Sequence, residues 1–317
     1  MLTVGNYHYI RNDFAAPYPS IFGVTPTFFR EQLVALKEIG TFITPQELLE
    51  NREQVIQSPN HYILITFDDG LKEQYLQAKP ILDELEIKAL FFINSINFIE
   101  KEVTLVHKIH LLRSQMSTPA FFDILKAFDI EGKTVLSKDE KVQAIIHYNY
   151  DDEETALLKF TLNFKLSIQE QRDLIGVIFD RHFDTDQVVK GLYMTEAQLI
   201  QLANEGMLGS HTHSHLPLGY LDRDVIAKEY MTSKNYLEQL TNKDIPYVSY
   251  PYGSREACAA PVEEMAKSAA HTIGFTMERS INRGDENPLL LKRFDCNDLP
   301  LGKNQKAFDH AYRLIHK

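Results

Sequence analysis

This chain of 317 residues contains no tryptophan and only two cysteines, Cys258 and Cys296. Two scattered cysteines make neither a disulfide framework nor a zinc ribbon, and they read as buried or free thiols, compatible with a reducing compartment. No run of about 18 apolar residues occurs, so no membrane-spanning helix is expected. The start, Met1-Leu2-Thr3-Val4-Gly5-Asn6-Tyr7-His8, lacks the basic residues and long apolar run of a secretory signal, so a cytoplasmic location is expected. Basic residues are in the minority. Against 44 Asp and Glu stand 33 Lys and Arg, a net charge of −11, which argues against nucleic acid as a partner.

The composition is that of a soluble globular protein, with 44% hydrophobic and 24% charged residues. The length suits one large domain or two ordinary ones, and an α/β barrel commonly takes about 250 residues. Oligomeric state is not legible.

Residues 1–98 alternate extended and helical patterns. Leu2 to Ile10 is β-like. Thr25-Pro26 opens a helix through Phe29, Leu33, Leu36 and Ile39, which Gly40 closes. A short strand at Thr41-Phe42-Ile43 leads to a second Thr-Pro helix start at Thr44-Pro45. YILITF (62–67) and ALFFIN (89–94) are continuous apolar runs of strands buried on both faces, and a helix is predicted between them over about Lys72 to Leu85. Residues 99–190 read instead as a mainly helical insertion, with an acidic helix start at Asp151-Asp152-Glu153-Glu154. His107 and His110 share one face there, beside the apolar Leu105, Ile109 and Leu112. Alternation returns in residues 191–317. Helices are predicted from Thr195, over Asp222–Leu240, over Arg255–Ala270 and at the C-terminus, and strands at Met207–Ser210, Pro246–Tyr250, Thr272–Thr276 and Leu289–Phe294. Such alternation implies a parallel sheet, open or closed.

Three motifs fall at strand ends. Thr66-Phe67-Asp68-Asp69-Gly70 places two acids where a buried strand stops. Charges there are either solvated in the turn or engaged with a metal or substrate. Gly209-Ser210-His211-Thr212-His213-Ser214-His215 gathers three of the twelve histidines within five residues. Imidazole suits zinc and its neighbours. His211 and His215 meet one ion if the chain turns helically, and His211 and His213 only in an extended chain. Ser249-Tyr250-Pro251-Tyr252-Gly253 alone is an ordinary turn. Together the three sit where parallel barrels carry their active sites. An Asp with two His makes an open, catalytic type of metal site, and the second carboxylate is placed to act as a base.

The order TFDDG, H-T-x-x-H and Pro-Tyr-Gly resembles the polysaccharide deacetylases with a NodB-type domain (carbohydrate esterase family 4), over residues 1–98 and 191–295. The resemblance implies a distorted (β/α) barrel made of residues 1–98 and 191–317, interrupted by the helical insertion 99–190. It implies Asp68 as general base, Asp69, His211 and His215 as metal ligands, and the Tyr252 backbone N–H as an oxyanion donor. His213 falls on a variable motif position. The chain also departs from the family. Aligned on Pro251-Tyr252, the third motif's usual Arg is Ser249, and Arg293 is the candidate to replace it as partner of Asp68. The Asp-x-x-Asp-Trp motif is ruled out by the lack of Trp. The late Leu-x-His that supplies a general acid is not evident. His310 and His316 lie in a terminal helix, and His8, near the end of the first strand, is a candidate acid or supporting group.

The expected reaction is hydrolysis of an N-acyl, chiefly N-acetyl, group on an amino sugar with a divalent metal, Zn²⁺ first, with Co²⁺, Ni²⁺ or Fe²⁺ fitting the same ligands. A cytoplasmic enzyme would meet nucleotide- or lipid-linked sugars. Rival readings are an amidohydrolase of non-sugar amides or imides and a carbohydrate-binding protein without catalysis. The insertion leaves after the ALFFIN strand and is expected to border the substrate cleft.

Overall fold

The computed structural model describes residues 1–128, 132–148 and 152–315. His316 and Asp151 lie outside the described residues. The strands are β1 (Leu2–Tyr7), β2 (Thr41–Phe42), β3 (Tyr62–Phe67), β4 (Ala89–Ile93), β5 (Leu208–Ser210), β6 (Tyr247–Ser249), β7 (Ile273–Phe275) and β8 (Phe294–Asp295). They run in the order β7-β6-β5-β4-β3-β1-β8, with β2 also paired to β3. Every strand pairing is parallel, so all C-terminal ends share one edge.

The helices in chain order begin with α1 (Pro26–Lys37), α2 (Pro45–Gln57), α3 (Lys79–Glu84) and α4 (Ile96–Ile99). Then follow α5 (Leu105–Gln115), α6 (Thr118–Ala127), α7 (Lys138–His147), α8 (Glu153–Phe160), α9 (Ile168–Asp180) and α10 (Thr185–Leu192). The last four are α11 (Glu196–Asn204), α12 (Arg223–Thr241), α13 (Val262–Ser268) and α14 (Lys306–Ile315). Local chemistry explains their starts. Thr25 and Thr44 each accept a backbone N–H as N-cap, with Pro in the first turn, and Thr44 with Glu47 completes a capping box. Among the described residues, no helix is long and apolar enough to cross a membrane.

The chain divides into two compact units. The first comprises Met1–Asp13, Gly23–Glu102 and Val189–Lys317. It holds the whole sheet, curled into a distorted (β/α) barrel. Strand alternation sorts its side chains into two layers. Ile63, Ile65, Phe67, Ala89 and Phe91 face outward and pack with Phe29, Leu33 and Leu36 of α1. Leu2, Val4, Leu64, Leu90, Phe92, Tyr247, Ile273, Phe275 and Leu291 form the separate inner cluster. The second unit, Phe14–Phe22 with Val103–Val188, is helical. Its core includes Leu112, Phe121, Leu125, Ile175 and Phe179. Within it, Tyr18 N–H donates to the Ser114 carbonyl and Ser20 Oγ to that of His110. His107 is buried against Thr104, with Nδ1 to Oγ1 at 3.0 Å, and His110 is half-buried.

Three elements differ from their sequence expectation. The helix expected over Arg255–Ala270 exists only as α13. Pro261 has no N–H to donate and pushes Ala260 away from helical geometry, so turns precede the helix. The strand expected over Leu289–Phe294 shrinks to β8 because this segment changes partners. Leu291 exchanges hydrogen bonds with Gly274 and Thr276 on the β7 side, while Cys296 N–H donates to Asn6 on the β1 side. The segment thus stitches the two sheet edges together. The helix expected over Lys72–Leu85 begins as a wide π turn, Gln74–Ala78, in which Lys79 N–H reaches the Gln74 carbonyl. Pro80 follows and carries no N–H.

Phe67 anchors the outer layer. Its ring stacks on Phe91 at 4.6 Å and meets Tyr7 and Phe29 at 5.6 and 5.7 Å. Phe67→Ala is expected to cost about 3–5 kcal/mol of unfolding free energy, measured by denaturant titration.

Candidate active site

The three motifs turn together at the C-terminal edge of the sheet, after β3, β5 and β6. Each bends through a left-handed backbone. Asp69, Thr212, His215 and Tyr252 have φ of 78°, 63°, 58° and 62°. That region is uncommon for non-glycine residues and unusual for a β-branched Thr, and such strain clusters at functional sites. Gly70 continues the first turn at φ 64°, where an added Cβ would stand 2.8 Å from Ile93 Cδ1. Buried Gln74, in the π turn, braces the same bend by donating Nε2 to the carbonyls of Asp68 (2.6 Å) and His8 (3.0 Å).

Asp69, His211 and His215 converge. One donor atom from each lies within 4.8 Å of the other two, and all three residues are buried. His211 Nε2 is 3.6 Å and His215 Nε2 3.3 Å from Asp69 Oδ1. Two ligands bonded to one zinc at about 2.0–2.1 Å in tetrahedral geometry stand roughly 3.3 Å apart, so this donor set fits a metal ion. His211 Nδ1 donates to the Ser249 carbonyl at 2.8 Å, because a carbonyl can only accept. That bond leaves Nε2 with its lone pair toward the cluster. Burial lowers the His211 pKa to about 4, against the opposing pull of Asp68 and Asp69, so the ring is neutral at ordinary pH. The His215 ring lies edge-to-face with His211 at 4.9 Å and with Tyr252 at 5.1 Å. His213 turns to other partners, with Nδ1 2.8 Å from Ser95 Oγ and Nε2 3.0 Å from Glu100 Oε1.

Asp68 belongs to a separate network. Arg293 is fully buried and grips it with two parallel hydrogen bonds, Nη1 to Oδ1 and Nη2 to Oδ2, each 2.9 Å. The same guanidinium donates to Asn6 Oδ1 (2.9 Å), Thr66 Oγ1 (3.2 Å), Ser249 Oγ (2.8 Å) and the Thr276 carbonyl (2.9 Å). Phe92 and Phe275 flank it at 5.9 Å. Ser249, the position where the third motif usually carries Arg, thus touches an Arg arriving from the segment between β7 and β8. Asn6 Nδ2 completes the Asp68 shell at 3.0 Å. Burial pushes the Asp68 carboxyl upward. The charge of Arg293, then that of His211 once acid has protonated it, the Arg293 hydrogen bonds and His8 outweigh it and hold Asp68 far below the usual carboxylate range. His8 is half-exposed, its Nε2 4.0 Å from Asp68 Oδ2.

Sequence reasoning passed over Asn6, Thr66, Gln74, Ser95 and Glu100. A signal existed for the first two, since polar residues inside buried strands need partners. For the others no local pattern marks the role.

A parallel barrel whose C-terminal rim carries an Asp-His-His cluster beside an ionised carboxylate has the layout of a hydrolase site. The sequence profile of the polysaccharide deacetylase family matches residues 56–112 and 113–274, and the chain belongs to that family, hydrolases of carbon–nitrogen bonds other than peptide bonds. No curated protein sequence matches the chain. Among solved structures, the Streptococcus pyogenes deacetylase PplD in complex with acetate is similar at 17% identity and a TM-score of 0.57, over 98% of this chain and 97% of that one. IcaB from Ammonifex degensii is similar at 18% and 0.57, over 97% and 95%. The BpsB deacetylase domain from Bordetella bronchiseptica is similar at 18% and 0.54, over 93% and 95%. At such identity these likenesses bear on the fold.

Removing Arg293 strands a buried carboxylate. Arg293→Met is expected to destabilise the fold by about 3–5 kcal/mol at pH 7. The sign follows from linkage. In the native protein the depressed Asp68 pKa contributes stability above the unfolded value, and that contribution is lost as pH falls through the acidic range. In the variant burial raises the pKa, so protonation relieves the defect. The stability gap, measured by denaturation, should therefore narrow as pH is lowered from 7 toward 4.

Proposed function

We propose that this deacetylase removes the N-acetyl group of an amino sugar, in a glycan or in a nucleotide- or lipid-linked precursor, using a divalent metal held by Asp69, His211 and His215. The observation that carries the reading is the adjacency of two different sites, a buried Asp-His-His cluster and an Asp68 carboxylate kept ionised by Arg293. Asp69, His211 and His215 would hold the ion, Zn²⁺ in this reading with Co²⁺, Ni²⁺ or Fe²⁺ suited to the same donors, and when bound it would supply Lewis-acid chemistry to the acyl carbonyl and the attacking water.

The chain's own groups supply the rest. Asp68 accepts the proton of the attacking water, and Arg293 fixes the carboxylate in plane for that transfer. A carboxylate held so acidic is a weak base, which is why this reading needs a Lewis acid beside it. The Tyr252 backbone N–H stabilises the oxyanion that develops on the carbonyl. Support for its place is the Tyr252 ring against His215. His8 protonates the amine as the carbon–nitrogen bond breaks, a task that suits a half-exposed imidazole facing Asp68. The products are acetate and a free amino sugar. These steps are assigned to the barrel segments 1–98 and 191–317, and none to the insertion 99–190.

Two experiments test the reading. In the first, Asp69→Ala, His211→Ala and His215→Ala should each lose most bound metal by elemental analysis, while His213→Ala keeps it. Full occupancy in His211→Ala would remove the ligand assignment. In the second, acetate release from N-acetylated sugars is compared with hydrolysis of an acetyl ester whose leaving group needs no proton. Asp68→Asn should retain metal and lose about 10²–10⁴-fold in kcat on both substrates. His8→Gln should lose rate on the amide and little on the ester. Equal losses on both would move the acid elsewhere. Cyclic imides in the same screen distinguish a non-sugar amidohydrolase.

A further inference from the structure

We propose that Glu229 of α12 is a positioning residue for the histidine turn. Its buried carboxylate clamps Ser214 and thereby sets where the next residue, His215, places its ring. The inference rests on the assignment of His215 as a metal ligand.

Ser214 gives both of its donors to this one side chain. Its backbone N–H donates to Glu229 Oε2 at 2.8 Å and its hydroxyl donates to Oε1. Glu229 is 5% exposed and, among the described residues, forms no ion pair. An ionised carboxylate only accepts, and burying one is costly unless its oxygens find donors. Here both oxygens find them in a single residue of the turn. Glu229 is therefore satisfied only while the turn keeps the described conformation, which includes left-handed backbone at Thr212 and His215.

The two halves of the turn are held differently. Residues 211–213 are tied to the β4 side. His211 N–H donates to the Ile93 carbonyl, Ile96 N–H to that of His213, Asn94 Nδ2 to that of His211, and the His213 ring bridges Ser95 and Glu100. His211 also has its orienting bond to the Ser249 carbonyl. Among the described residues His215 has no counterpart, for its buried Nδ1 meets no hydrogen-bond partner there. Metal-binding histidines are ordinarily oriented through that second nitrogen. In this chain the orientation comes through the backbone at Ser214, and Glu229 is what holds it. The helix supplying Glu229 is itself fixed, with Ile226, Tyr230 and Leu237 buried and Ser233 Oγ hydrogen-bonded to Ser210 Oγ of β5 at 2.9 Å.

The test is Co²⁺ binding by the full chain, read by competition with a chromogenic chelator and by the visible spectrum of the bound ion. Glu229→Ala is expected to weaken binding by about 10–100-fold and to alter the spectrum. Glu229→Gln should restore affinity to within a few-fold, because its carbonyl can accept from Ser214 N–H while its amide donates to the reversed hydroxyl. Ser214→Ala should fall between them. Wild-type affinity in both Glu229→Ala and Ser214→Ala would overturn the clamp, as would a Gln variant as weak as the Ala one. If Glu229→Ala does not fold, the Gln and Ser214 variants decide. Undiminished binding by His215→Ala would instead overturn the ligand assignment, and this inference with it.

Discussion

The pairing of Arg293 with Asp68 is the interaction around which the rest of the barrel is arranged. A guanidinium at zero exposure is tolerable only with its donors matched, and here the matches are five residues on or just after four strands: Asn6 of β1, Thr66 and Asp68 of β3 and its end, Ser249 of β6, and the Thr276 carbonyl after β7. Nη2 and Nε have one acceptor per N–H, so losing Asp68, Ser249 or the Thr276 carbonyl leaves a buried donor unmet, whereas Nη1 shares its two N–H groups among Asn6, Thr66 and Asp68. The inner layer is therefore apolar where the strands begin, with Leu2, Leu64 and Leu90, and polar where they end, with Asn6, Thr66 and Asp68. The guanidinium lies at that change of character, with Phe92 and Phe275 on its flanks.

This arrangement separates two neighbouring acids. Asp68 and Asp69 are adjacent in sequence, yet the left-handed backbone at Asp69 sends the second carboxylate toward the histidines while Arg293 keeps the first. One acid is locked in an ion pair and the other sits between the imidazoles of His211 and His215. In the proposed mechanism this division gives one carboxylate to proton transfer and the other to the metal. The strain at four motif residues is stable because the surrounding hydrogen bonds over-determine it, from Gln74 beneath the first turn to Glu229 beside the second.

The supporting shell comes from far along the chain. α12 braces the histidine turn, the π turn before α3 braces the acid turn, and the β7–β8 segment carries the arginine. A catalytic layout carried on short strand ends needs such bracing, because each turn alone is too strained to hold its shape. The family profile runs through residues 56–112 and 113–274, and Val103–Val188 with Phe14–Phe22 forms a separate helical unit.

Much of the candidate site was legible in the sequence, since TFDDG, H-T-x-x-H and Pro-Tyr-Gly follow short apolar runs that read as buried strands. The Thr-Pro helix starts were equally plain, because capping is local chemistry. Other features depended on distance and closure. Arg293 lies 225 residues from Asp68, and nothing local to a charge beside a short strand shows which partner it meets. Its burial follows from the segment around it switching partners between β7 and β1, which no periodicity in Leu289–Phe294 reveals. The partners of Asn6, and Glu229 beneath Ser214, were hidden for the same reason. A polar residue in a strand or helix shows by itself that it needs a partner, but strand register and barrel closure decide which one it meets.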